Sequence, residues 1–550
     1  MYKPGPVKML LFFSGVFAVF WLLVLAKSFY LPLYLDSLFT VGAGAKLAEQ
    51  GHFSETFMLY GLINPYFLEI LIKLNPGALA PYFLRLIQFI ATCTGLFFLS
   101  LSVSHVRKGT SRNTSILAAV SVVLGSAVTL IESFELTPET LTFSGFSILL
   151  YMMITYRPGK RYAVLTGLLL AFLAGARPTA VIFAIPVFLT IPDRFSKKSI
   201  ASKYWRWSFL AVIISAVFLT AFPGVISISR LAVTVSSILF SITLLSLIID
   251  ARSGYLNVWK ELFRIVLSFC VFVLLMFPSY FLYFRELTRQ IIQYHIAVEV
   301  PCESIGLLTK NILLSFLNMT IAFPGPFAAT GFFTAVGLFV WKRKHSNPVY
   351  RTLFLFAVGI IPFVFIVTRS ENLQIRYLIP VITLVFAVSS IGIRYLMESR
   401  FRYLIVVPFL ISSYELYEVL EFKTDGGVLN AFYNLSTRVY EGGGVQTVLS
   451  STMGPCQSHY YGETGVSTSY PLLPYIPSEL HVTDPDSAFY TVSFLVPSEG
   501  VRITETFGSV CEERNSMIRG SRYPGFVEFC YLTGRPWVWR GWSTVYITEP

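Results

Sequence analysis

Apolar residues along this chain fall in long runs, and short polar segments rich in lysine and arginine divide them. The runs at 9–26, 81–104, 116–131, 208–227, 231–249, 265–284, 352–367 and 377–393 come near the length of about 20 residues that a helix needs to cross a hydrocarbon core. Further runs end at Arg157, Lys342 and Leu420. They are apolar on all sides, which predicts helices surrounded by lipid or by one another. About 11–13 transmembrane helices follow over residues 1–420. The pattern changes at 421. From there to 550 the chain is rich in glycine, serine, threonine and aromatics, and "SAFYTVSFLV" alternates with a period of two. The expected architecture is an all-α polytopic membrane domain, 1–420, followed by an α/β or mainly β soluble domain, 421–550.

Composition agrees with that reading. Of the 550 residues 55% are hydrophobic and only 13% charged, too few to clothe a soluble fold of this size. The net charge of +12 is compatible with a nucleic-acid partner, but the positive residues sit in short loops between apolar runs. That is the positive-inside pattern, so membrane lipid is the expected partner and nucleic acid is not. The run at 9–26 follows Lys3 and Lys8 and lacks a small-residue cleavage site, so it is expected to stay as an anchor.

Loop charge then sets the expected topology. The N-terminus is cytosolic and the first loop, 29–80, lumenal. Basic segments around Arg107, Arg157, Lys197, Arg252 with Lys260 and Arg264, Lys342, and Arg394 with Arg400 and Arg402 are assigned to the cytosol. Glu132, Glu135 and Glu139 share a short loop on the lumenal side, and 421–550 is lumenal. One stretch breaks the alternation. Residues 162–192 lie between two basic loops, so roughly 30 residues must enter the membrane and return. The break falls at "GARPT", where Pro178 removes a helical donor and pushes Arg177 out of the α region. Non-helical backbone at depth requires cover from protein or water. Arg177 is therefore expected at the tip of a broken helix pair, facing a polar cavity, the other reading being an arginine that snorkels to lipid phosphates.

Cys456, Cys511 and Cys530 lie in the last domain; one disulfide is compatible with an oxidising lumen, with the pairing open. Of three glycosylation sequons, Asn434 is the usable one in this topology, while Asn318 lies too near the membrane and Asn113 falls on the cytosolic side.

The lumenal face gathers Asp36, Arg177, the trio Arg369, Glu371 and Arg376, and the acids at 132–139. A carboxylate at the membrane face can act as general base towards a hydroxyl, and arginines can hold a phosphate leaving group bidentately. The combination suits sugar transfer from a lipid-linked phosphosugar. Each charge taken singly also fits a solvated loop residue. The opposing class is a transporter or scramblase, for which broken helices and buried charges are equally natural.

Three stretches carry a resemblance. The first-loop Asp36, the large lumenal first loop and the lumenal C-terminal domain resemble the GT-C glycosyltransferases of the endoplasmic reticulum. "GLLLAFLAGARPTAVIFAIPVFL", "ENLQIRYLIPVITLVFAV" and "STMGPCQSHYYGETG" are similar to segments of glycosyltransferase family 22, the last being most like the enzyme that adds the third mannose of the GPI anchor. The chain departs from the family at Leu35-Asp36-Ser37, where a second carboxylate is usual, and at Ser370-Glu371-Asn372, where the family has His-Lys-Glu. The resemblance implies an inverting mannosyltransferase in the ER membrane. Its donor is dolichyl-phosphate-mannose, and its acceptor is a lipid-linked glycan, most specifically a GPI intermediate. Asp36 would be the base, and Arg177, Arg376, Glu371 and Arg369 would bind substrate. Basic side chains can stabilise the leaving phosphate, so neither metal nor cofactor is implied.

Overall fold

The computed structural model describes residues 5–28, 61–74, 80–105, 111–133, 138–196, 226–285, 316–342, 348–368, 378–420, 447–449, 490–493, 502–513 and 539–549, with isolated positions between them. The chain is a polytopic helical membrane protein. Among the described residues four helices are long and apolar enough to cross a bilayer alone, Pro6–Ser28, Phe83–Ser104, Ile379–Glu398 and Arg402–Leu420, and shorter apolar helices pack between them.

Helix α1 (Pro6–Ser28) opens with proline at its first position, where the missing donor costs nothing. Next come α2 (Ile63–Leu74), α3 (Ala80–Ser104), α4 (Ser111–Leu124) and α5 (Ala127–Glu132). The single span expected at 116–131 is thus two helices, broken at Gly125-Ser126. Ser126 caps α5 by accepting from the Thr129 amide, and its hydroxyl donates to the Phe323 carbonyl at 3.2 Å. The Leu124 carbonyl at the break accepts from Trp21 Nε1 at 2.8 Å. Helix α6 (Glu139–Ile154) is buried along nearly its whole length, as a helix apolar on all sides must be, and α3 packs along it.

The segment at 162–192 forms α7 (Lys160–Ala176), a 3₁₀ turn (Pro178–Phe183) and α8 (Ala184–Phe195). The end of α8 comes back beside the start of α7. Arg194 at the end of α8 donates to the Met153 and Ile154 carbonyls at 2.6 and 3.1 Å, capping the end of α6 next to where α7 begins. It also donates to Thr352 Oγ1 at 2.8 Å, and Arg351 pairs with Asp193.

Beyond α9 (Ile226–Asp250), α10 (Tyr255–Met276) lies so close along α7 that a Cβ on Gly167 would sit 1.9 Å from Ser268 Oγ. The span expected at 265–284 therefore starts ten residues earlier and stops at Phe277, and Lys260 and Arg264 are helical, not loop residues. The helix accepts its charges in this stretch because Glu261 is held by Arg264 at 2.9 Å and by the Tyr156 hydroxyl at 2.8 Å. A short turn, α11 (Ser279–Leu282), follows. Helices α12 (Pro326–Lys342), α13 (Pro348–Thr368), α14 (Ile379–Glu398) and α15 (Val406–Leu420) complete the bundle. Helices α12 and α14 touch backbone to backbone: a Cβ on Gly392 would lie 1.8 Å from the Gly331 carbonyl. Arg394, expected in a cytosolic loop, is inside α14 and fully buried.

In the C-terminal region β1 (Thr447–Leu449), β2 (Tyr490–Ser493), β3 (Arg502–Glu513) and β4 (Trp539–Glu549) form one mixed sheet in the order β1-β2-β4-β3. Strand β1 runs parallel to β2, while β4 is antiparallel to both β2 and β3. Strand β2 lies within the alternating stretch "SAFYTVSFLV", and a register shift at Ile503/Glu505 marks the start of the long β3–β4 pairing. Cys511 stands on β3 opposite Gly541; Cys456, Cys530 and Asn434 lie outside the described residues.

Candidate active site

The ends of several helices meet where α7 breaks. The Ser28 carbonyl at the end of α1 accepts from Arg85 of α3, and Lys27 Nζ donates to the Leu420 carbonyl at 2.7 Å, which ties in α15. The gap between α5 and α6 is closed by Thr140 Oγ1, which donates to the Glu132 carbonyl at 2.9 Å. The segment before α2 joins through Leu62, whose amide donates to the Gly175 carbonyl at 2.8 Å. Gly61 makes that approach possible. Its φ is +83°, and a Cβ there would lie 1.8 Å from the Ala176 carbonyl.

At the break Arg177 is extended, with φ −152° and ψ 121°, as a residue before proline prefers. Its amide still closes the last turn of α7 on the Leu173 carbonyl. Its guanidinium pairs through Nη1 with Glu139 Oε1, the first residue of α6. The side chains are 12% and 2% exposed, so this is an ion pair shielded from water. Glu139 is also the first residue of α6, at the positive end of its own helix. Glu132 and Glu139 line a cavity with room for about one water, together with Thr92, Thr129, Thr140 and, from α14, Ile379. Both carboxylates are buried, which corrects the reading of these acids as solvated loop residues. They are the first and last residues of helices and are folded into the bundle because α5 is short and α6 starts at depth.

Of the residues named from sequence, Arg177, Glu132 and Glu139 stand at this site. Asp36, Arg369, Glu371, Arg376 and Glu135 lie outside the described residues. Helix α14, which begins three positions after Arg376, contributes Ile379 to the cavity. Sequence reasoning missed a polar stripe on α3. Arg85, Gln88 and Thr92 are buried at positions i, i+3 and i+7, and Thr92 reaches the cavity. Helical spacing of polar residues in an apolar run is a readable signal. It also missed Asn64, which is 4% exposed, its amide atoms without a hydrogen-bond partner among the described residues, two positions after the Leu62–Gly175 contact. Among the described residues no three His, Cys, Asp or Glu side chains cluster.

The arrangement brings two buried carboxylates and one guanidinium to the end of a helix bundle, at a place where interrupted backbone needs polar partners. A planar guanidinium has five donors in a fixed fork, so one edge can hold a carboxylate while another receives an anionic oxygen.

No protein family and no curated protein matches the chain by sequence. Its structure is similar to that of ArnT from Cupriavidus metallidurans, solved bound to undecaprenyl phosphate, with TM-score 0.50, 10% identity and 98% of each chain covered. It is also similar to the archaeal oligosaccharyltransferase AglB from Archaeoglobus fulgidus, solved in complex with an inhibitory peptide and a dolichol-phosphate, with TM-score 0.40 and 14% identity. That match covers 78% of this chain and 58% of AglB, so the chain spans little more than half of that protein's length. The A. fulgidus oligosaccharyltransferase tethered to an acceptor peptide gives TM-score 0.42 and 12% identity, covering 88% of this chain and 69% of the other. The end-to-end match with ArnT identifies the fold as GT-C.

Proposed function

We propose that this chain is a glycosyltransferase that takes a sugar from a polyprenyl-phosphate carrier. In its most specific form it moves mannose from dolichyl-phosphate-mannose to a lipid-linked glycan, a GPI-anchor intermediate, at the lumenal face of the ER membrane. The observation that carries the reading is the Arg177–Glu139 pair at the break in α7, beside the cavity of Glu132. The fold supports it, because ArnT shares that fold and was solved with a polyprenyl phosphate. The resemblance of "GARPT" and of "QIRYLIP" to family 22 supports the choice of mannose.

In this reading the acceptor hydroxyl attacks the anomeric carbon of the sugar. The new glycosidic C–O bond forms as the bond from that carbon to the phosphate oxygen breaks, with inversion. Asp36 takes the hydroxyl proton, and the carrier leaves as polyprenyl phosphate. Arg177 and Arg376 meet the charge that develops on the departing phosphate, where fixed donors in a dry site act most strongly. Glu139 keeps the Arg177 fork oriented and its charge balanced when no carrier is bound, and Arg369 and Glu371 contact the sugar or acceptor. The test is transfer by the purified chain, offered dolichyl-phosphate-mannose and a panel of GPI intermediates, alongside N-glycan precursors and other polyprenyl-phosphate sugars. Transfer only to N-glycan precursors moves the assignment within the class. Absence of transfer from any carrier, with lipid movement across the bilayer instead, replaces the enzyme by a scramblase.

A further inference from the structure

Helix α14 lines the cavity with Ile379 and carries Arg394 fifteen residues on, about 22 Å away at the opposite end of the helix. Arg394 is the largest fully buried side chain among the described residues. Its Nη1 reaches Ser115 Oγ of α4 at a long 3.4 Å, and the guanidinium lies 4.5 Å from the Tyr395 ring. Tyr350 of α13 closes the same spot, its hydroxyl 3.5 Å from that of Tyr395. Nε and Nη2 of Arg394 have no hydrogen-bond acceptor among the described residues. An arginine does not shed its proton in a protein, so burial without an anion is strongly unfavourable.

Among the described residues no ion pair holds Arg394. Between residues 102 and 131, and again between 338 and 370, the sequence contains no Asp or Glu. The loops leading into α4 and α13 hold Arg107, Lys108, Arg343 and Lys344 instead, and α4 carries Arg112 in its first turn. Asp193 is bound to Arg351, and Glu398, one turn beyond Arg394, is exposed. The first two turns of α4 and the first turn of α13 reach this spot, through Ser115 and Tyr350, and bring the positive ends of two helices towards it. The C-terminal carbonyls of α14 offset only part of this charge.

We infer that Arg394 binds a phosphate group from outside the chain, either the headgroup phosphate of an anionic membrane lipid or a free phosphate. The planar fork fits two phosphate oxygens, Ser115 and Tyr350 supply hydroxyl donors, and the basic loops draw the anion in. The bound phosphate clamps α4, α13 and α14 together at the end of the bundle remote from the transfer site. This inference does not depend on the reaction proposed above.

The test uses the full chain in phosphatidylcholine nanodiscs, with the thermal denaturation midpoint followed as inorganic phosphate is added to the buffer or phosphatidic acid to the lipid. The wild-type midpoint should rise in a saturable step. A step with both probes identifies a site for the bare anion, and a step with phosphatidic acid alone identifies a headgroup site. Arg394→Met should be at least as stable as wild type in phosphatidylcholine alone, because the uncompensated charge is gone, and should lack the saturable step. The two proteins thus exchange rank on adding the anion. Arg394→Lys keeps the charge without the fork and should bind at least about tenfold more weakly; it also serves if the Met variant does not fold. A wild-type protein with no saturable step for either probe, or an Arg394→Met protein with the wild-type step, overturns the inference.

Discussion

Arg177 and Glu139 are coupled tightly enough that their removal together should be gentler than the removal of either. Their side chains are 12% and 2% exposed, so water screens them little. Deleting one member of such a pair typically costs about 3–5 kcal/mol, because the other is left charged and buried, whereas replacing both by apolar groups of similar volume is often neutral. The two single variants should also differ. Arg177→Met takes the guanidinium from Glu139, which has almost no surface through which to reach water. Glu139→Leu takes the carboxylate from Arg177, whose long stem and partial exposure let its head move towards solvent, so this variant should lose less. The upper figure corresponds to about three and a half orders of magnitude in the folding equilibrium. Arg177→Met/Glu139→Leu should recover most of the loss. Denaturation midpoints of the four proteins in one mild detergent give the cycle. Losses that simply add in the double variant would show that the pair does not compensate, and the account of the site electrostatics would be wrong.

The same four proteins separate a brace from a binding site. A brace holds the tip of the α7–α8 hairpin against α6 and does nothing else. The double variant then folds and transfers sugar as wild type does. If Arg177 receives the carrier phosphate, the double variant folds but binds dolichyl-phosphate-mannose weakly. Near-native transfer by the stable double variant removes Arg177 from the proposed mechanism.

Asp36→Asn should lower turnover by about 10²–10⁴-fold with folding and donor binding kept, and Ser37→Ala should change little; near-normal turnover in the Asn variant means that Asp36 only caps a helix. Gly61→Ala should destabilise by about 1–3 kcal/mol or more from backbone strain, with the clash on Ala176 added, and an unchanged denaturation midpoint refutes the close approach of this segment to the break. Asn64→Leu should leave stability equal or higher, since a buried amide without partners among the described residues is removed, yet reduce transfer; unchanged kinetics deny Asn64 a role towards substrate. A cysteine introduced near Asn434 should be labelled only from the lumenal side, and cytosolic labelling reverses the whole expected topology.

The hairpin at 162–192 was legible because two independent signals fell on it: loop charge required a return, and proline gave the place. Both are local, and they suffice to put Arg177 at a tip. Its partner was not legible. Glu139 lies 38 residues earlier, and "ESFELTPE" looks the same whether its acids face water or protein. Loop charge tells on which side of the membrane a residue belongs and says nothing of how deep it lies. The same limit explains Arg394. It continues the basic series of Arg400 and Arg402, but α14 runs on past the apolar run to Glu398 and carries the arginine inside, beside the close crossing at Gly392.

The stripe of Arg85, Gln88 and Thr92 is a different case. Its spacing is plain in the sequence, yet a hydropathy average over α3 absorbs three polar residues into an apolar run. Position on the helix face, not number, is what marks them. Such a stripe is costly in a membrane unless it faces polar partners; here Arg85 donates to the Ser28 carbonyl at the end of α1, and Thr92 lines the cavity of Glu132 and Glu139. The breaks at Gly125-Ser126 and at Arg177-Pro178, and the helix ends at Glu132 and Glu139, each leave backbone groups without helical partners. Ser126, Thr140 and the Arg177 amide satisfy some of these groups. Charged side chains such as Arg177 and Glu139 can pair where the interruptions meet. In an all-helical membrane chain the strongest pointer to a reactive site is therefore the coincidence of a helix break with a polar stripe on a facing helix. Arg177 and the α3 stripe are that coincidence, which makes Arg85→Met the natural companion to Arg177→Met when carrier binding is measured.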